Sequence, residues 1–343
     1  MIYYKRNISL LPYNTFGIDV NAAHFFCLKN PEDIADIADL PGFRNMSGDM
    51  TDLLILGQGS NVLFTRDFNG VVIRNEIRGI RMIEESGEFV LIEAGAGEKW
   101  EDLVDYVVGK NQGGIENLTL IPGTVGAAPV QNIGAYGAEA ADVIVSVKAF
   151  HLEKKEWMTL DNQACGFGYR DSIFKRELKN KAVICSVVLQ LSKTPELRLD
   201  YGDIRKELAA RNIANPSVRD VSGIIAAIRR SKLPDPQQTG NAGSFFKNPV
   251  ISESAFQNLS SAYPLVKFFR QGGLYKIAAG WLIEQAGWKG YRAGDAGCYE
   301  KQVLILVNYG KATGRDILTL AEKIEASVFD KFGINLEMEV NLI

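Results

Sequence analysis

Ser244 is the first side chain that could do chemistry. It lies between Gly243 and a Phe-Phe pair in the stretch 240–249, GNAGSFFKNP. Neither histidine stands in a recognisable triad context and no GxSxG sequence is present, so we do not expect a serine hydrolase. A serine hydroxyl can instead donate a proton to a strongly basic carbanion, which needs no histidine. The alternative is an ordinary serine in a turn, which the local sequence alone favours.

Charged side chains could support such a reaction. Arg170 stands in an aromatic, glycine-containing segment, 167–172, FGYRDS, where it could stabilise a developing enolate. An exposed turn containing Arg170 and Asp171 is an equally good explanation. Glu337 and Glu339 lie two residues apart on a predicted last strand and would project to one face, so one of them could face a site. Most strand carboxylates, however, are solvated.

The stretch 121–137, IPGTVGAAPVQNIGAYG, must position these groups or a cofactor. It has four glycines and two prolines but no charged residue. A surface linker of this size usually carries Ser, Lys or Glu, and a core helix or strand would not tolerate so much Gly and Pro. We interpret the stretch as an ordered loop whose backbone N–H groups hold a phosphate-bearing cofactor. A buried structural crossover is the competing interpretation.

A second glycine-rich turn, 57–61, GQGSN, follows a predicted strand at 52–56. A Rossmann interpretation fails, because Val62 stands where the third glycine belongs and residues 62–64 are strand formers. A phosphate-binding P-loop is excluded because no Gly-Lys-Ser/Thr sequence occurs. Such a turn alone is usually a hairpin, but two neutral glycine-rich loops in one lobe are harder to dismiss.

Composition narrows the class of protein. The 343 residues suffice for two or three lobes, and the net charge of −3 without a basic block argues against nucleic acid as the main partner. The four cysteines are far apart, so we expect buried thiols in a reducing cytoplasm and no zinc or iron–sulfur site. No segment is predicted to span a bilayer or to act as a signal peptide.

The hydrophobic pattern predicts an α+β fold, because the first ~190 residues are rich in strands without regular βαβ alternation. Strands are predicted at 23–28, 52–56, 70–74, 89–93, 143–152, 156–160, 182–191, 303–307 and 334–340. Helices are predicted from Pro31 and at 100–108, 203–211, 217–229, 278–286 and 315–329. The composition shifts near residues 193–195, which suggests a boundary between lobes.

Four motifs in this order carry a resemblance to a known family: the loop at 121–137, YRDSIFK at 169–175, SKLPDP at 231–236 and GNAGSFFKNP at 240–249. The chain resembles the bacterial UDP-N-acetylenolpyruvoylglucosamine reductases, also called UDP-N-acetylmuramate dehydrogenases, over nearly its whole length. The resemblance implies an FAD-binding domain of the vanillyl-alcohol-oxidase (PCMH) type, made of two α+β subdomains, and a smaller α+β substrate-binding domain. It implies domains at 1–193, with subdomains of about 1–72 and 73–193, and at 200–330, and a C-terminal strand at 331–343 packing back toward the active site.

The resemblance also implies the chemistry. NADPH reduces a non-covalently bound FAD, which then reduces UDP-N-acetylglucosamine enolpyruvate to UDP-N-acetylmuramate for peptidoglycan. Ser244 matches the proton donor to C2, and Arg170 and Glu339 match the residues that stabilise the enolic intermediate. Tyr201, Lys232, Asn248 and Gln302 align with substrate-contacting positions. The implied cofactor-binding residues are Gly57, Gly59, Ser60, Asn61, Pro122, Gly123, Thr124, Gly126, Ala127, Gly134, Ala135 and Tyr136.

Some positions depart from the family pattern. Gln58 replaces a common glycine, Thr124 a frequent serine, and Asn341 the usual arginine two residues after Glu339. The residues between Pro249 and Lys276 resemble the longer subtype of the family, in which an extra segment places a tyrosine over the substrate. Tyr263 and Tyr275 are both candidates for that tyrosine.

The expected protein is therefore a cytoplasmic monomer that binds NADPH and the enolpyruvyl sugar nucleotide and does not bind nucleic acid or membrane. Two alternatives stay open at this point. One is another FAD oxidoreductase of the same superfamily, and the other is a non-catalytic sugar-nucleotide binding protein. The presence of Arg170, Ser244 and Glu339 counts against the second alternative.

Overall fold

The computed structural model describes residues 2–40, 43 and 52–343. The chain divides into two compact units. The first unit consists of Met1–Ile8, Asn21–Gln58 and Phe68–Ser231, and the second unit of Ser9–Val20, Gly59–Asp67 and Lys232–Ile343.

Strands are short and occur in both units. In chain order they are β1 Tyr3–Ser9, β2 Asn21–Leu28, β3 Leu53–Leu56, β4 Val62–Leu63, β5 Phe68–Asn75, β6 Ile80–Glu85, β7 Phe89–Gly95, β8 Gly134–Ala135, β9 Ala138–Glu139, β10 Ile144–His151, β11 Glu156–Asp161, β12 Ala182–Ser192, β13 Gly240–Ser244, β14 Val250–Ser252, β15 Phe268–Gln271, β16 Leu274–Ile277, β17 Arg292–Ala293, β18 Ala296–Cys298, β19 Ile305–Asn308 and β20 Asn341–Leu342. Helices in the described part of the chain are α1 Asp33–Asp39, α2 Trp100–Gly109, α3 Ile204–Ala210, α4 Val218–Lys232, α5 Glu253–Ala262, α6 Ala279–Gln285 and α7 Gly314–Phe332.

The first unit contains two larger sheets. One has the order β1-β2-β5-β3, in which β5 runs parallel to both β2 and β3. The other is antiparallel, in the order β11-β10-β12-β7-β6. The predicted hairpin is confirmed, because β10 pairs with β11 in the register that places Phe150 opposite Trp157. A core cluster between this second sheet and α2 lies under the stretch 121–137.

Apolar stripes on the helices follow the predicted periodicity. Ile34, Ile37 and Ala38 are buried on α1, and Val221, Ile224, Ile225 and Ile228 are buried on α4. On α2, Leu103 and Val107 are buried and Tyr106 packs partly against the same core. These helices form because one face removes apolar surface from water when it packs on the sheets.

The second unit is built on a sheet of order β13-β19-β18-β17, with a three-stranded sheet of order β14-β16-β15 beside α5. The helix α7 begins with a capping box in which Thr313 and Asp316 bond each other's backbone N–H groups, and it ends at the left-handed Gly333. β20 runs parallel to β4, so the C-terminus is tied to the strand that follows the turn at 57–61.

The predicted final strand at 334–340 is wrong. Within this segment only Met338 forms a β-bridge, with Phe246, and regular pairing begins at Asn341. Ile334, Leu336 and Val340 are buried, so the apolar alternation that suggested a strand is real. The segment lacks the continuous ladder of a strand because its backbone pairs only across the short bridge to residues 245–247.

The four cysteines are free and buried, as predicted. Burial raises the pKa of the Cys165, Cys185 and Cys298 thiols to about 12 and that of Cys27 to about 11. Among the described residues, no group of His, Cys, Asp and Glu side chains could hold a metal ion. Within the same residues, no helix is long and apolar enough to cross a membrane.

Trp100 connects the first turn of α2 to the residues before the 121–137 stretch. Its indole Nε1 donates to the carbonyl of Leu118 at 3.0 Å, and its side chain is buried. Replacing it by phenylalanine leaves that carbonyl without its donor and opens space. We therefore expect Trp100→Phe to lower the free energy of unfolding by about 2 kcal/mol in urea titrations.

Trp157 provides the matched control, because it is 42% exposed on β11. Trp157→Phe should change the free energy of unfolding by less than about 0.5 kcal/mol. Equal effects of the two substitutions would contradict the role assigned to the Trp100 hydrogen bond.

Candidate active site

The two glycine-rich stretches meet in the first unit. A Cβ added to Gly57 would lie 2.6 Å from Oγ1 of Thr124, so the turn and the 121–137 stretch are in close contact there. The side-chain Oε1 of Gln58 accepts a hydrogen bond from the Gly123 N–H at 2.9 Å. Arg74 donates to the carbonyl of Gly57 at 3.1 Å. The absence of a side chain at Gly57 therefore makes room for Thr124, whereas the sequence suggested only that such glycines make room for a ligand.

The structure places the predicted cofactor-binding residues in both units. Those of the second unit are Gly59, Ser60 and Asn61. Those of the first unit are Gly57, Pro122, Gly123, Thr124, Gly126, Ala127, Gly134, Ala135 and Tyr136.

Arg229 on α4 indicates what the start of the 121–137 stretch can hold. Its Nη2 donates to the carbonyl of Leu120 at 3.2 Å, and burial lowers its pKa. Its buried Nε has no acceptor among the described residues. A buried guanidinium with an unused donor is costly unless an anion satisfies it. The site therefore fits a cofactor with an anionic group, such as the pyrophosphate of FAD.

Arg170 is held against the same stretch by its guanidinium group. Nη2 donates to the carbonyl of Gly134 at 2.6 Å, and Nη1 donates to that of Asn132 at 3.2 Å. Arg170 has a φ of 55°, which is uncommon for a residue other than glycine. The exposed neighbour Asp171 pairs instead with Arg176. The alternative of a solvated Arg170–Asp171 turn therefore does not describe Arg170.

Sequence reasoning missed two residues that hold the YRDSIFK motif in place. The buried Ser172 donates through Oγ to the carbonyl of Val130 at 2.7 Å. The buried Asn132 donates through Nδ2 to the carbonyl of Gly168 at 3.1 Å. The local sequence offers no signal for these bonds, because each partner lies 36 to 42 positions away along the chain.

Tyr201 lies close enough to Arg170 for the two to interact electrostatically. Burial raises the pKa of the Tyr201 hydroxyl, and the positive charge of Arg170 acts in the opposite direction. The net direction is upward, so the hydroxyl is protonated at neutral pH and can donate a hydrogen bond. The first unit thus brings together Arg170, Tyr201 and the 121–137 stretch.

Ser244 is the exposed end of β13 in the second unit. The register of β13 against β19 shifts between Asn241 and Ser244, which is a bulge, and Gly243 within it has a φ of 71°. The next residue, Phe245, is fully buried. A bulge re-aims a side chain relative to the regular strand, so Ser244 points outward from a rigid, well-anchored segment.

Glu339 lies beside this segment. Its N–H donates to the carbonyl of Phe245 at 2.8 Å, and its carbonyl accepts from Nδ2 of Asn61 at 3.3 Å. Asn341 donates through Nδ2 to the carbonyl of Asn61 at 2.9 Å, which shows what this departure from the family pattern does. The structure therefore places the backbones of Ser244, Glu339 and the Asn61 turn close together in the second unit.

Glu337 is not equivalent to Glu339. Its exposed carboxylate pairs with Lys247, and Glu339 is only partly exposed. The two glutamates lie on either side of the bridged Met338, and the expectation that their side chains share a face stays a prediction.

The remaining predicted substrate residues of the second unit are less closely grouped. Asn248 accepts through Oδ1 from the Ala279 N–H at 2.9 Å, and the side chain of Gln302 lies near Gly280, so both are next to the start of α6. Lys232 is the exposed last residue of α4.

Both candidate lid tyrosines have packed rings. Tyr275 is stacked on Phe256 with ring centroids 4.0 Å apart, and its hydroxyl accepts from Arg270. Tyr263 packs against Trp281 and Phe332. The choice between the two tyrosines stays a prediction that requires bound substrate.

Comparison with known proteins identifies the family. A model of an FAD binding domain matches residues 22–154, and a model described as UDP-N-acetylenolpyruvoylglucosamine reductase, C-terminal domain, matches residues 235–343. Reductases of that name from Flavobacterium johnsoniae and Pseudomonas aeruginosa are each 47% identical to the chain, covering 99% and 98% of it and the same shares of their own lengths. The chain belongs to the UDP-N-acetylenolpyruvoylglucosamine reductases.

Membership of this reductase family confirms the predicted class of enzyme, an oxidoreductase with FAD as cofactor. The reductase from Chromobacterium violaceum is 46% identical over 98% of both chains. A crystal structure of the reductase from Thermus caldophilus, 24% identical, covers 100% of this chain and 99% of its own with a TM-score of 0.67. That likeness and the FAD-binding model confirm the predicted fold class.

Gln58 gives a prediction about cofactor affinity. Its Oε1 fixes the Gly123 N–H, so the turn and the 121–137 stretch are joined before FAD binds. Gln58→Gly removes this hydrogen bond and frees the backbone of the turn. We expect FAD to bind roughly three- to tenfold more weakly, as measured by flavin fluorescence during titration of the apoprotein.

Gln237→Gly is the control, since Gln237 is exposed in a turn of the second unit. It should leave FAD affinity within about twofold of the unsubstituted protein. Unchanged affinity in Gln58→Gly would show that the hydrogen bond to Gly123 does not organise the cofactor site.

Proposed function

We propose that the chain catalyses the NADPH-dependent reduction of UDP-N-acetylglucosamine enolpyruvate to UDP-N-acetylmuramate in peptidoglycan precursor synthesis. The names of the curated relatives and their full-length similarity support this substrate. The observation that carries the residue roles is the outward-pointing Ser244 on its bulge, with the backbone of Glu339 bonded to the next residue.

FAD is bound non-covalently in this proposal and, when bound, supplies the hydride for the vinyl C3 of the substrate. Thr124, Ser60 and backbone N–H groups of both glycine-rich stretches would hold it. Arg229 supports the pyrophosphate assignment, because its buried Nε has no acceptor among the described residues.

Arg170 stabilises the negative charge that develops on C2 and on the carboxylate of the substrate. The carbonyls of Asn132 and Gly134 fix its guanidinium, so the cation is oriented before the reaction begins. Glu339 acts on the same enolic intermediate.

Ser244 donates the proton to C2. Addition of hydride to C3 makes C2 strongly basic, so a hydroxyl is acidic enough to protonate it without a histidine. The donor must be held in one direction relative to the carbon. The β-ladder to Ile305 and the buried Phe245 on its other side give Ser244 that rigidity.

Substrate binding is assigned to Tyr201, Lys232, Asn248 and Gln302. Lys232 and the neutral Tyr201 hydroxyl suit phosphate or carboxylate oxygens. The FAD-binding role of residues 1–193 and the substrate-binding role of 200–330, with 331–343 returning to the active site, are part of the proposal. So are a cytoplasmic, monomeric state and the absence of membrane and nucleic-acid partners. Four free, buried thiols are consistent with a reducing compartment.

The absorbance spectrum of the purified protein under anaerobic conditions tests the function. NADPH should bleach the flavin bands, and the enolpyruvyl sugar nucleotide should restore them. Bands that NADPH bleaches but this substrate does not restore would point to a different flavin oxidoreductase. A comparison of NADPH with NADH in the first step measures the preference for the reductant.

Replacing Ser244 by alanine separates the two half-reactions. The flavin should still be bleached by NADPH at a rate within about twofold of the unsubstituted protein, since no proton is delivered to substrate in that step. Reoxidation by substrate should slow by roughly a hundredfold or more, the usual contribution of a positioned general acid. Stopped-flow absorbance measures both rates. Unchanged reoxidation in Ser244→Ala would remove Ser244 from the mechanism.

The two neighbouring glutamates provide a matched pair of variants. Glu339→Ala should slow the reoxidation of reduced flavin by substrate by about a hundredfold, as expected for loss of one group that stabilises the transition state. Glu337→Ala breaks only an exposed ion pair with Lys247 and should change this rate by less than about threefold. If the larger effect belonged to Glu337, the roles of the two carboxylates would be exchanged.

A further inference from the structure

Two Tyr-Gly pairs in the first unit pack on each other. Tyr136-Gly137 ends the 121–137 stretch, and Tyr201-Gly202 lies just before α3. A Cβ added to Gly202 would lie 3.6 Å from the ring of Tyr136, and one added to Gly137 would lie 3.4 Å from the ring of Tyr201. Each tyrosine ring therefore lies against the glycine of the other pair.

The backbone conformation makes both glycines difficult to replace. Gly137 has a φ of 80° and Gly202 a φ of 66°, and Tyr136 itself has a φ of 48°. Glycine adopts such angles without strain, whereas most residues do not. The two pairs thus combine an unusual backbone with ring packing at the same positions.

Hydrogen bonds join the two segments at the same place. Asn117 donates through Nδ2 to the carbonyls of Tyr136, at 2.8 Å, and Arg198, at 2.9 Å. Arg198 in turn donates to the carbonyl of Gly137 at 2.7 Å. Both partners of the Asn117 amide are acceptors, which fixes the orientation of that amide. The cofactor stretch and the segment that carries Tyr201 are therefore held in one register.

We propose that this arrangement, which we call the tyrosine–glycine clasp (Tyr136, Gly137, Tyr201 and Gly202), positions Tyr201 for the sugar nucleotide. Gly137, Gly202 and Arg198 are then positioning residues that set substrate affinity through Tyr201. The inference rests on the proposed role of Tyr201 in binding substrate.

The exposure of Tyr201 distinguishes the clasp from ordinary core packing. The residue is 39% exposed although its ring lies against Gly137, so one part of the ring is fixed and another part stays accessible. Arg170 is held by the carbonyl of Gly134, three residues before Gly137. One stretch of backbone therefore sets the position of both Arg170 and Tyr201. A shift at Gly137 or Gly202 should lower substrate affinity before it affects other properties of the enzyme.

Gly202→Asn tests the clasp. Asparagine tolerates a left-handed backbone, so this substitution adds bulk against the Tyr136 ring with little strain. Gly333→Asn is the matched control, because Gly333 has the same φ of 66° and nothing lies within 4 Å of its Cβ position.

Gly202→Asn should raise the KM for the enolpyruvyl sugar nucleotide by about tenfold and lower kcat by less than about threefold. Bleaching of the flavin by NADPH should stay within about twofold, as should every constant of Gly333→Asn. These changes correspond to a weaker ground-state contact with substrate rather than to damaged chemistry.

Arg198→Met keeps the test decisive if Gly202→Asn does not fold. The Arg198 side chain is half exposed, and its replacement removes the hydrogen bond to Gly137 without adding bulk. It should raise the same KM by about threefold, since the hydrogen bond to Gly137 is lost and the ion pair with Asp142 that is lost with it is exposed and contributes little. If every variant that folds, whether Gly202→Asn, Arg198→Met or both, leaves KM within about twofold of the unsubstituted enzyme, the clasp has no positioning role. Failure of the unsubstituted protein to be reoxidised by this substrate would instead overturn the proposed function.

Discussion

The stretch 121–137 depends on hydrogen bonds that it cannot make within itself. It is rich in glycine and proline and has few regular backbone pairs, so many of its buried N–H and C=O groups need partners elsewhere. Side chains from distant segments supply several of them. The Gln58 side chain accepts from the Gly123 N–H. The other side chains donate to carbonyls of the stretch: Ser172 to Val130, Arg170 to Asn132 and Gly134, Asn117 to Tyr136 and Arg198 to Gly137.

This requirement explains why residues of different expected roles lie together. Arg170 is both a candidate catalytic cation and a structural donor to the stretch, and the strained φ of Arg170 is maintained by those bonds. The segment with Tyr201 is fixed by the same kind of contact. The same hydrogen bonds therefore satisfy the backbone of the stretch and position the side chains of the candidate site.

Sequence patterns predicted elements whose burial is periodic. The stripes of α1 and α4 and the hairpin of β10 and β11 follow from periods of 3.6 and 2. The segment 334–340 also alternates, but pairing depends on a partner strand, which the alternation does not reveal. Its only bridge, at Met338, could not be told from a full strand.

The candidate site was likewise predictable from the sequence only in part. Glycine-rich composition identified the stretches that meet at Gly57 and Thr124, and the family resemblance named Ser244, Arg170 and Glu339. The tethers by Asn117, Asn132 and Ser172 join positions between 19 and 81 residues apart and leave no local pattern. The bulge that exposes Ser244 likewise depends on the register of β19, which lies some 60 residues later.

The unused donor of Arg229 has a consequence for the stability of the protein before FAD binds. A chain that has just folded without FAD retains a buried guanidinium whose Nε has no acceptor among the described residues. A ligand that satisfies this group binds only the folded form and so draws the folding equilibrium toward it. A cofactor that satisfies this group is then expected to raise the free energy of unfolding of the chain, in addition to its part in the reaction.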